Sequence, residues 1–274
     1  ANFIMGLSGA ISLNQVAKLV RHFVELVRKT KNYQLALVLQ MQLPLIERIS
    51  KALLKGTEAL TNGWPIGDAA GSLVGAHLIG SSMAKEVEED TLLARRKIKG
   101  RTVYIVKAKG PGGRLGKLGK VVEKLVNREK ISKIITVDAA AKLEGEKTGG
   151  IAEGVGVVIG GIGVDRAYIE NIAVKKDIPL DSYVIKMGQE EAIQPMMKEI
   201  LFAVPKVVKM VEENVKNSRG KIIVVSVGNT AGVGNNEKDA QKAEKLISNV
   251  LKIVKKRGKE EEEKKSKWSW LTGW

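Results

Sequence analysis

From residue 101 onward, short runs of branched aliphatic residues alternate with longer segments whose apolar residues recur at helical spacing. The runs predict strands over residues 102–108, 133–138, 155–159, 168–174, 182–187 and 221–227. The longer segments predict helices over residues 115–127, about 189–216 and 236–256. Such alternation is typical of an α/β fold, with a mainly parallel sheet that carries helices on both faces.

The first third of the chain has a different pattern, which predicts helices only. Residues 12–54 indicate a helical hairpin with Pro44 inside its second arm, and a further helix is expected from residue 69 to about 89. Around the start of that helix Gly67, Gly71 and Gly75 repeat every four residues, and this bare edge favours close packing against another element. No run of 18 apolar residues occurs, so the sequence predicts no membrane span.

These patterns divide the chain into three parts. We expect a helical N-terminal region over residues 1–98, preceding a Rossmann-like α/β domain over residues 99–257. A charged tail rich in Trp then covers residues 258–274. Residues 255–267 are nearly all charged, which predicts disorder.

Positive charge is concentrated in one segment. The net charge is +16, and residues 99–137 alone hold 11 basic and 2 acidic side chains, a net charge of +9. A field of this kind attracts phosphates, nucleic acids or anionic lipids. The alternative is a thermophile surface, in which Lys and Glu are both abundant.

A glycine-rich loop follows the first α/β strand and precedes a helix, as in dinucleotide-binding sites. Its candidate binding residues are Lys109, Gly110, Gly112, Gly113, Arg114 and Gly116. The glycines would allow close approach to a phosphate at the helix N-terminus, and the basic residues, with Lys107 and Lys117, would add charge. Asp138 ends the next predicted strand, where a ribose-binding carboxylate is expected. The spacing G-x-G-x-x-x-G is one residue longer than the dinucleotide motif, so a turn that binds nothing is the alternative.

A second glycine-rich loop follows the last strand, and it also leads into a helix. Its candidate residues are Gly228, Asn229, Thr230, Gly232 and Gly234. In a parallel sheet both loops would lie at the carboxyl edge of the strands, where α/β proteins bind ligands. Helix capping is the alternative explanation, because Asn and Gly are also favoured at helix starts.

Acidic residues collect after the strand that ends at Asp138. Asp138, Glu144 and Glu146 are candidate ligands for Mg²⁺, and local ion pairs in a solvated loop are the alternative. The chain has no Cys, no G-x-S-x-G and no H-E-x-x-H. The sequence therefore assigns no catalytic residue and leaves open whether the protein is an enzyme.

Four segments together resemble an uncharacterised archaeal family that is described only as a domain of unknown function. They are residues 62–71, 107–113, 142–146 and 152–156. The resemblance covers about residues 12–255 and implies an archaeal source, with attachment to the inner face of the cell membrane through a segment ahead of the soluble part. It implies no catalytic residues.

The favoured function is binding of a nucleotide, with Mg²⁺, or of another phosphate-bearing small molecule on the glycine loops of a cytoplasmic protein. The alternative is a scaffold at an anionic membrane surface, with no small ligand, in which the tail inserts its Trp side chains. Nucleic-acid binding is less favoured, because the basic segment contains one aromatic residue, Tyr104. A homo-oligomer is compatible with each of these functions.

Overall fold

The computed structural model describes residues 2–155 and 164–272, with side chains except those of residues 164–166 and 261–272. Its helices are α1 (Asn2–Thr30), α2 (Tyr33–Asn62), α3 (Ala70–Ile79), α4 (Leu118–Arg128), α5 (Val164–Lys175), α6 (Gln189–Ile193), α7 (Lys198–Asn217) and α8 (Glu237–Thr272). Its strands are β1 (Ala84–Glu88), β2 (Thr91–Ile98), β3 (Arg101–Ala108), β4 (Ile131–Ala141), β5 (Ile151–Val155), β6 (Leu180–Met187) and β7 (Lys221–Ser226).

The described strands form one sheet in the order β1-β2-β3-β7-β4-β6-β5. The central strands β3, β7, β4 and β6 are parallel to one another. The pairs β1–β2, β2–β3 and β5–β6 are antiparallel. The α/β class and the N-terminal helical pair are confirmed, but the expectation of a mainly parallel sheet is wrong, because hairpins extend both edges and make the sheet mixed.

Helices cover both faces of this sheet, as the alternating pattern predicts. On one face α3, α7 and α8 pack over Ile105, Ile135 and Val224 in the larger apolar core. On the other face α4 and α5 pack over Val106, Ile134 and Val225. Neighbouring residues of the central strands therefore serve opposite cores, and these strands are apolar throughout.

The helix expected over residues 69–89 ends ten residues early. Gly80, with φ +62°, stops α3 after Ile79, and the chain then forms the β1–β2 hairpin. The sequence does not reveal β1, because this edge strand buries none of its residues fully and so lacks a clear apolar alternation.

The strand expected over residues 168–174 is also wrong, because these residues belong to α5. Ile169, Ile172 and Ala173 reach the same core together, at a spacing that a helix allows and that strand alternation does not. The strand expected at residues 155–159 includes Val155 at the end of β5, and its remaining residues lie outside the described residues.

The glycine repeat of α3 serves close packing, as its spacing predicts. A Cβ on Gly71 would overlap the carbonyl oxygen of Val227, and a Cβ on Gly75 would lie 2.6 Å from Oγ of Ser226. Helix α3 thus lies directly on the carboxyl end of β7.

The charged tail is helical rather than disordered, because α8 continues to Thr272. Lys256 lies 3.9 Å from Glu260, one turn further along. Pairs of opposite charge at this spacing stabilise a helix locally.

Helix α1 meets the length and composition requirements for a membrane span, with a mean hydropathy of 1.3 and 6% of the apolar window buried. The expectation of no span depended on uninterrupted apolar residues, whereas α1 interrupts them with Ser, Asn and Gln. Signal sequences and core helices meet the same requirements, so this property alone does not place α1 in a membrane.

Candidate functional site

The two glycine-rich loops lie side by side. Strands β3 and β7 are adjacent and parallel, so the loop over residues 109–117 and the loop over residues 227–236 leave the sheet at the same carboxyl edge. The expectation that both loops share this edge is confirmed.

Hydrogen bonds join the two loops directly. The amides of Gly110 and Arg114 donate to Oδ1 of Asn235 and Oγ1 of Thr230, each at 2.8 Å. The amide of Gly232 donates to the carbonyl oxygen of Pro111 at 3.2 Å. Two of the backbone donors that a phosphate would need in the first loop therefore already have protein acceptors.

Two glycines of the first loop are explained by packing. A Cβ on Gly110 would overlap the carbonyl oxygen of Val233 in the second loop. Gly113 has φ +70°, and a side chain there would collide with Met5 of α1. The glycines thus allow the second loop and α1 to approach the first loop, which a turn that binds nothing would also require.

The second loop is covered by residues 63–72. The amide of Asn229 donates to Oδ2 of Asp68 at 3.1 Å, and Ser72 donates to the carbonyl oxygen of Gly228 at 3.0 Å. Gly232 lies against Pro65, and Thr230 is fully buried. The remaining candidate of this loop, Gly234, is also buried and packs against Asp239 of α8. The five candidates of the second loop therefore lie inside the protein or beneath this cover.

Acidic residues of the β1–β2 hairpin neutralise the basic residues beside the first loop. The ion pairs are Lys109–Glu86 at 2.5 Å, Arg114–Asp90 at 3.0 Å, Lys117–Glu89 at 2.5 Å and Lys124–Glu88. Hydrogen bonds from the paired lysines hold the pKa values of these three glutamates below their ordinary value. The sequence missed this pairing, because the four acids precede the basic segment and the three glutamates were expected to belong to a helix.

Asp138 is separated from the first glycine loop. Strand β7 lies between β3 and β4, so Asp138 within β4 does not occupy the strand next to the loop, as a ribose-binding carboxylate would. Asp138 is buried, and its Oδ1 accepts a hydrogen bond from the amide of Ala139 at 2.6 Å.

The acidic candidates do not come together as a metal site. Glu146 pairs with Lys186 and accepts a hydrogen bond from the amide of Leu143, while Glu144 is exposed. Within residues 2–155 and 164–272 no group of three or more His, Asp or Glu residues is placed to hold a metal ion. Local ion pairing, the alternative for this segment, accounts for Glu146.

Lys107 lies inside the protein beneath both loops rather than at a ligand. Its Nζ donates to the carbonyl oxygens of Ala108 at 2.8 Å and Gly234 at 3.0 Å. Burial lowers its pKa to about 7. In the sequence, a buried lysine of this kind is indicated by a single Lys inside the otherwise apolar run 103–108.

A polar groove of about 380 Å³, which the sequence did not indicate, lies between β4, β5, β6 and the end of α7. Asn214 donates to Oδ2 of Asp181 at 2.7 Å and to the Tyr183 hydroxyl at 2.8 Å. Tyr183 donates to Glu153 at 3.0 Å, and burial raises its pKa to about 12. These side chains satisfy one another, so the groove shows no group that requires a ligand.

The helical hairpin carries most of the large apolar side chains that are exposed among the described residues. Gly6 and Gly9 of α1 pack against Thr61 and Thr57 of α2, which fixes the two helices as an antiparallel pair. The buried residues of the pair are Gly6, Ala52, Gly56 and Ala59, all at its base. The exposed large apolar residues on α2 are Tyr33, Leu37, Val38, Met41, Leu43, Leu45, Ile49 and Leu54.

Two family models match the chain and together span most of it. One, described as the N-terminal domain of a protein of unknown function (DUF1512), matches residues 1–63, and the other, the C-terminal DUF1512 domain of unknown function, matches residues 66–234. The chain belongs to the DUF1512 family. The expected membership of an uncharacterised family is confirmed, and DUF1512 itself assigns no activity.

Comparison with other proteins adds little to the family assignment. The chain is similar to the crystal structure of the Mycobacterium tuberculosis proteasome-assembly chaperone homologue Rv2125, with 12% identity and a TM-score of 0.41. The match covers 68% of this chain and 89% of the other. No curated protein matches the DUF1512 chain.

Removing the hydroxyl group that joins the loops should destabilise the fold. Thr230→Val keeps the shape of the side chain but leaves the Arg114 amide without its acceptor. We expect a loss of roughly 1–3 kcal/mol in the free energy of unfolding, measured by urea titration. An unchanged value would show that the loops are not held together by this bond. Thr30→Val, at an exposed position at the end of α1, serves as the control.

Lys107 should make stability depend on pH. Its folded pKa of about 7 lies below the ordinary 10.5, so the unfolded chain binds the proton more tightly, and stability rises between these two pH values. Urea titrations at neutral and alkaline pH measure the free energy of unfolding. Its rise with pH should be smaller in Lys107→Met than in the natural protein, by about a few kcal/mol. Equal sensitivity of the two proteins would contradict this assignment.

Proposed function

We propose that this DUF1512 protein is an assembly protein, whose α/β body carries a helical hairpin that docks onto another protein. The observation that carries the proposal is a continuous stripe along α2. Its residues recur every three or four positions and are Val38, Met41, Leu45, Ile49, Ala52, Gly56 and Ala59.

The stripe is half buried and half exposed. Its last three residues are buried at the base, where Gly56 lies against the main chain of Ile193 in α6. Its first four are exposed, with 71% of Met41 and 56% of Val38 accessible. A helix face that already serves as a packing surface thus continues beyond the body without a cover.

The hairpin cannot cover this stripe by itself. Between residues 7 and 51 neither helix contains a buried residue, because two helices provide only one shared seam. A contiguous exposed apolar surface of this kind marks an interaction site in a folded protein.

The closed glycine loops support an assembly role. The hydrogen bonds between them, and the cover over residues 227–236, fix the base of the hairpin to the carboxyl edge of the sheet. The loops would then hold the projecting hairpin at a defined angle, which explains their glycines without a ligand.

Photo-crosslinking tests the docking proposal. A benzophenone amino acid in place of Met41 should give a discrete protein adduct in cells, whereas the same substitution of exposed Lys209 on α7 should give none. Mass spectrometry should identify the adduct, and Leu45→Glu should abolish it. An adduct with lipid alone would favour the membrane-surface scaffold, attached to the inner face of the membrane, and the absence of any adduct at residue 41 would refute docking.

A phosphate-bearing ligand remains a second candidate because of the start of α4. This helix begins without a side-chain cap, and its first turn contains no acidic residue. The positive dipole end of α4 would suit an anion that also contacts Gly112 and Gly113 of the preceding loop.

A thermal-shift screen tests this second candidate with nucleotides and sugar phosphates, each with and without Mg²⁺. A ligand at 100 times its dissociation constant should stabilise the fold by about 2.7 kcal/mol. Gly112→Val should abolish the shift, whereas Gly258→Val, with open space around it on α8, should keep it. No shift with any compound would reject the phosphate site.

A further inference from the structure

We infer that the partner of the hairpin is a second copy of this chain, with the exposed halves of the two α2 stripes packed antiparallel. This inference rests on the proposed docking function and specifies its partner. It depends on three observations: the charge distribution along α2, the charges on the neighbouring α1, and the spacing of the stripe.

The exposed half of α2 carries no charge. Residues 33–46 contain no Lys, Arg, Asp or Glu, whereas Glu47, Arg48 and Lys51 follow immediately. A surface that meets its own copy about a twofold axis places identical residues near each other, which is costly when they are charged. Over these 14 residues the self-contact brings no like charges together.

The charges on α1 argue against a membrane as the occupant. The contacts of Gly6 with Thr61 and of Gly9 with Thr57 set the register of the hairpin, which places Glu25 level with Met41. Arg21, Glu25 and Arg28 therefore lie level with the uncharged half of α2, and a hairpin inserted across a bilayer would have to bury them.

The outer half of α2 also lacks the charges of a helix that lies flat on a membrane. Helices that bind at the membrane interface are rich in Lys and Arg on the face opposite their apolar one. Residues 33–46 have Gln34, Gln40 and Gln42 as their long polar side chains instead. Amides of this kind can pair with one another across a protein interface.

The spacing of the stripe fits helix against helix. From Val38 to Ala59 its seven members recur every three or four residues, so they form one helix face that can pack along another helix. With Met41 near the twofold axis, Val38 of one copy would lie opposite Leu45 of the other. The same face would thus pack on α6 at the base and on its own copy further out.

Measurement of the mass in solution tests the inference. Sedimentation velocity on the purified chain should give twice the 29.7 kDa chain mass at high concentration, with dissociation on dilution. Met41→Glu should weaken the dimer roughly thirtyfold or more, the loss expected for a central interface residue. Met83→Glu is the matched control, because Met83 is 79% exposed on the body, and it should leave the dimer intact.

A cysteine crosslink provides a second readout that does not depend on a destabilising charge. The chain contains no Cys, so Met41→Cys introduces a single thiol. Mild oxidation should convert Met41→Cys to a covalent dimer, and Met83→Cys should remain monomeric. Circular dichroism should confirm that each variant is folded.

Three results with the purified chain would overturn the second-copy inference. The first is a monomer at every concentration without a crosslink at residue 41, and the second is a dimer that Met41→Glu does not weaken. The third is binding of the natural protein, but not of Met41→Glu, to vesicles of anionic lipid. An adduct with a different protein in the photo-crosslinking experiment would also exclude the second copy while leaving the docking function in place. Absence of any adduct would exclude both.

Discussion

The arrangement of the whole molecule depends on the hydrogen bonds that Thr230 and Asn235 make across the two glycine-rich loops. These side chains accept from the amides of Arg114 and Gly110, and they are held in place by the parallel pairing of β3 with β7. Because the loops close against each other, the carboxyl edge of the sheet becomes a surface for packing. Residues 63–72 then cover it, and Met5 of α1 lies over Gly113.

This closed edge joins the two parts of the family. The N-terminal and C-terminal DUF1512 matches meet between residues 63 and 66, and Pro65 packs on Gly232 of the second loop. The base of the hairpin is thus tied to the sheet, while its outer half projects without a cover. Since the body restrains the base, the outer half of the hairpin starts from a fixed position at the sheet edge, which reduces the entropy cost of binding a partner.

The sequence predicted the central elements because their patterns are local. The apolar runs of β3, β4, β6 and β7 identify buried strands, and α4 and α8 have clear helical periodicity. The position of β7 between β3 and β4 could not be predicted, because strand order depends on tertiary packing. That insertion separates Asp138 from the glycine loop and removes the arrangement that suggested a ribose-binding carboxylate.

The candidate site was harder to predict than the fold. Glycines at residues 110 and 113 look the same in sequence whether they admit a phosphate or another part of the chain. The basic residues around them suggested an anion site, since their acidic partners on β1 and β2 come from a hairpin with little apolar signal. The hairpin stripe was visible as apolar residues, but only the structure shows which of them stay exposed.

Hydrogen exchange along α2, followed at high and low protein concentration, tests the central claim most directly. A two-helix hairpin with no buried residue between 7 and 51 has little intrinsic protection, so its amides should depend on the partner. We predict that residues 33–46 exchange slowly at high concentration and much faster on dilution, while β3 and β7 do not change. Protection of residues 33–46 that is strong and independent of concentration would show that the hairpin is stable alone, and would contradict the account.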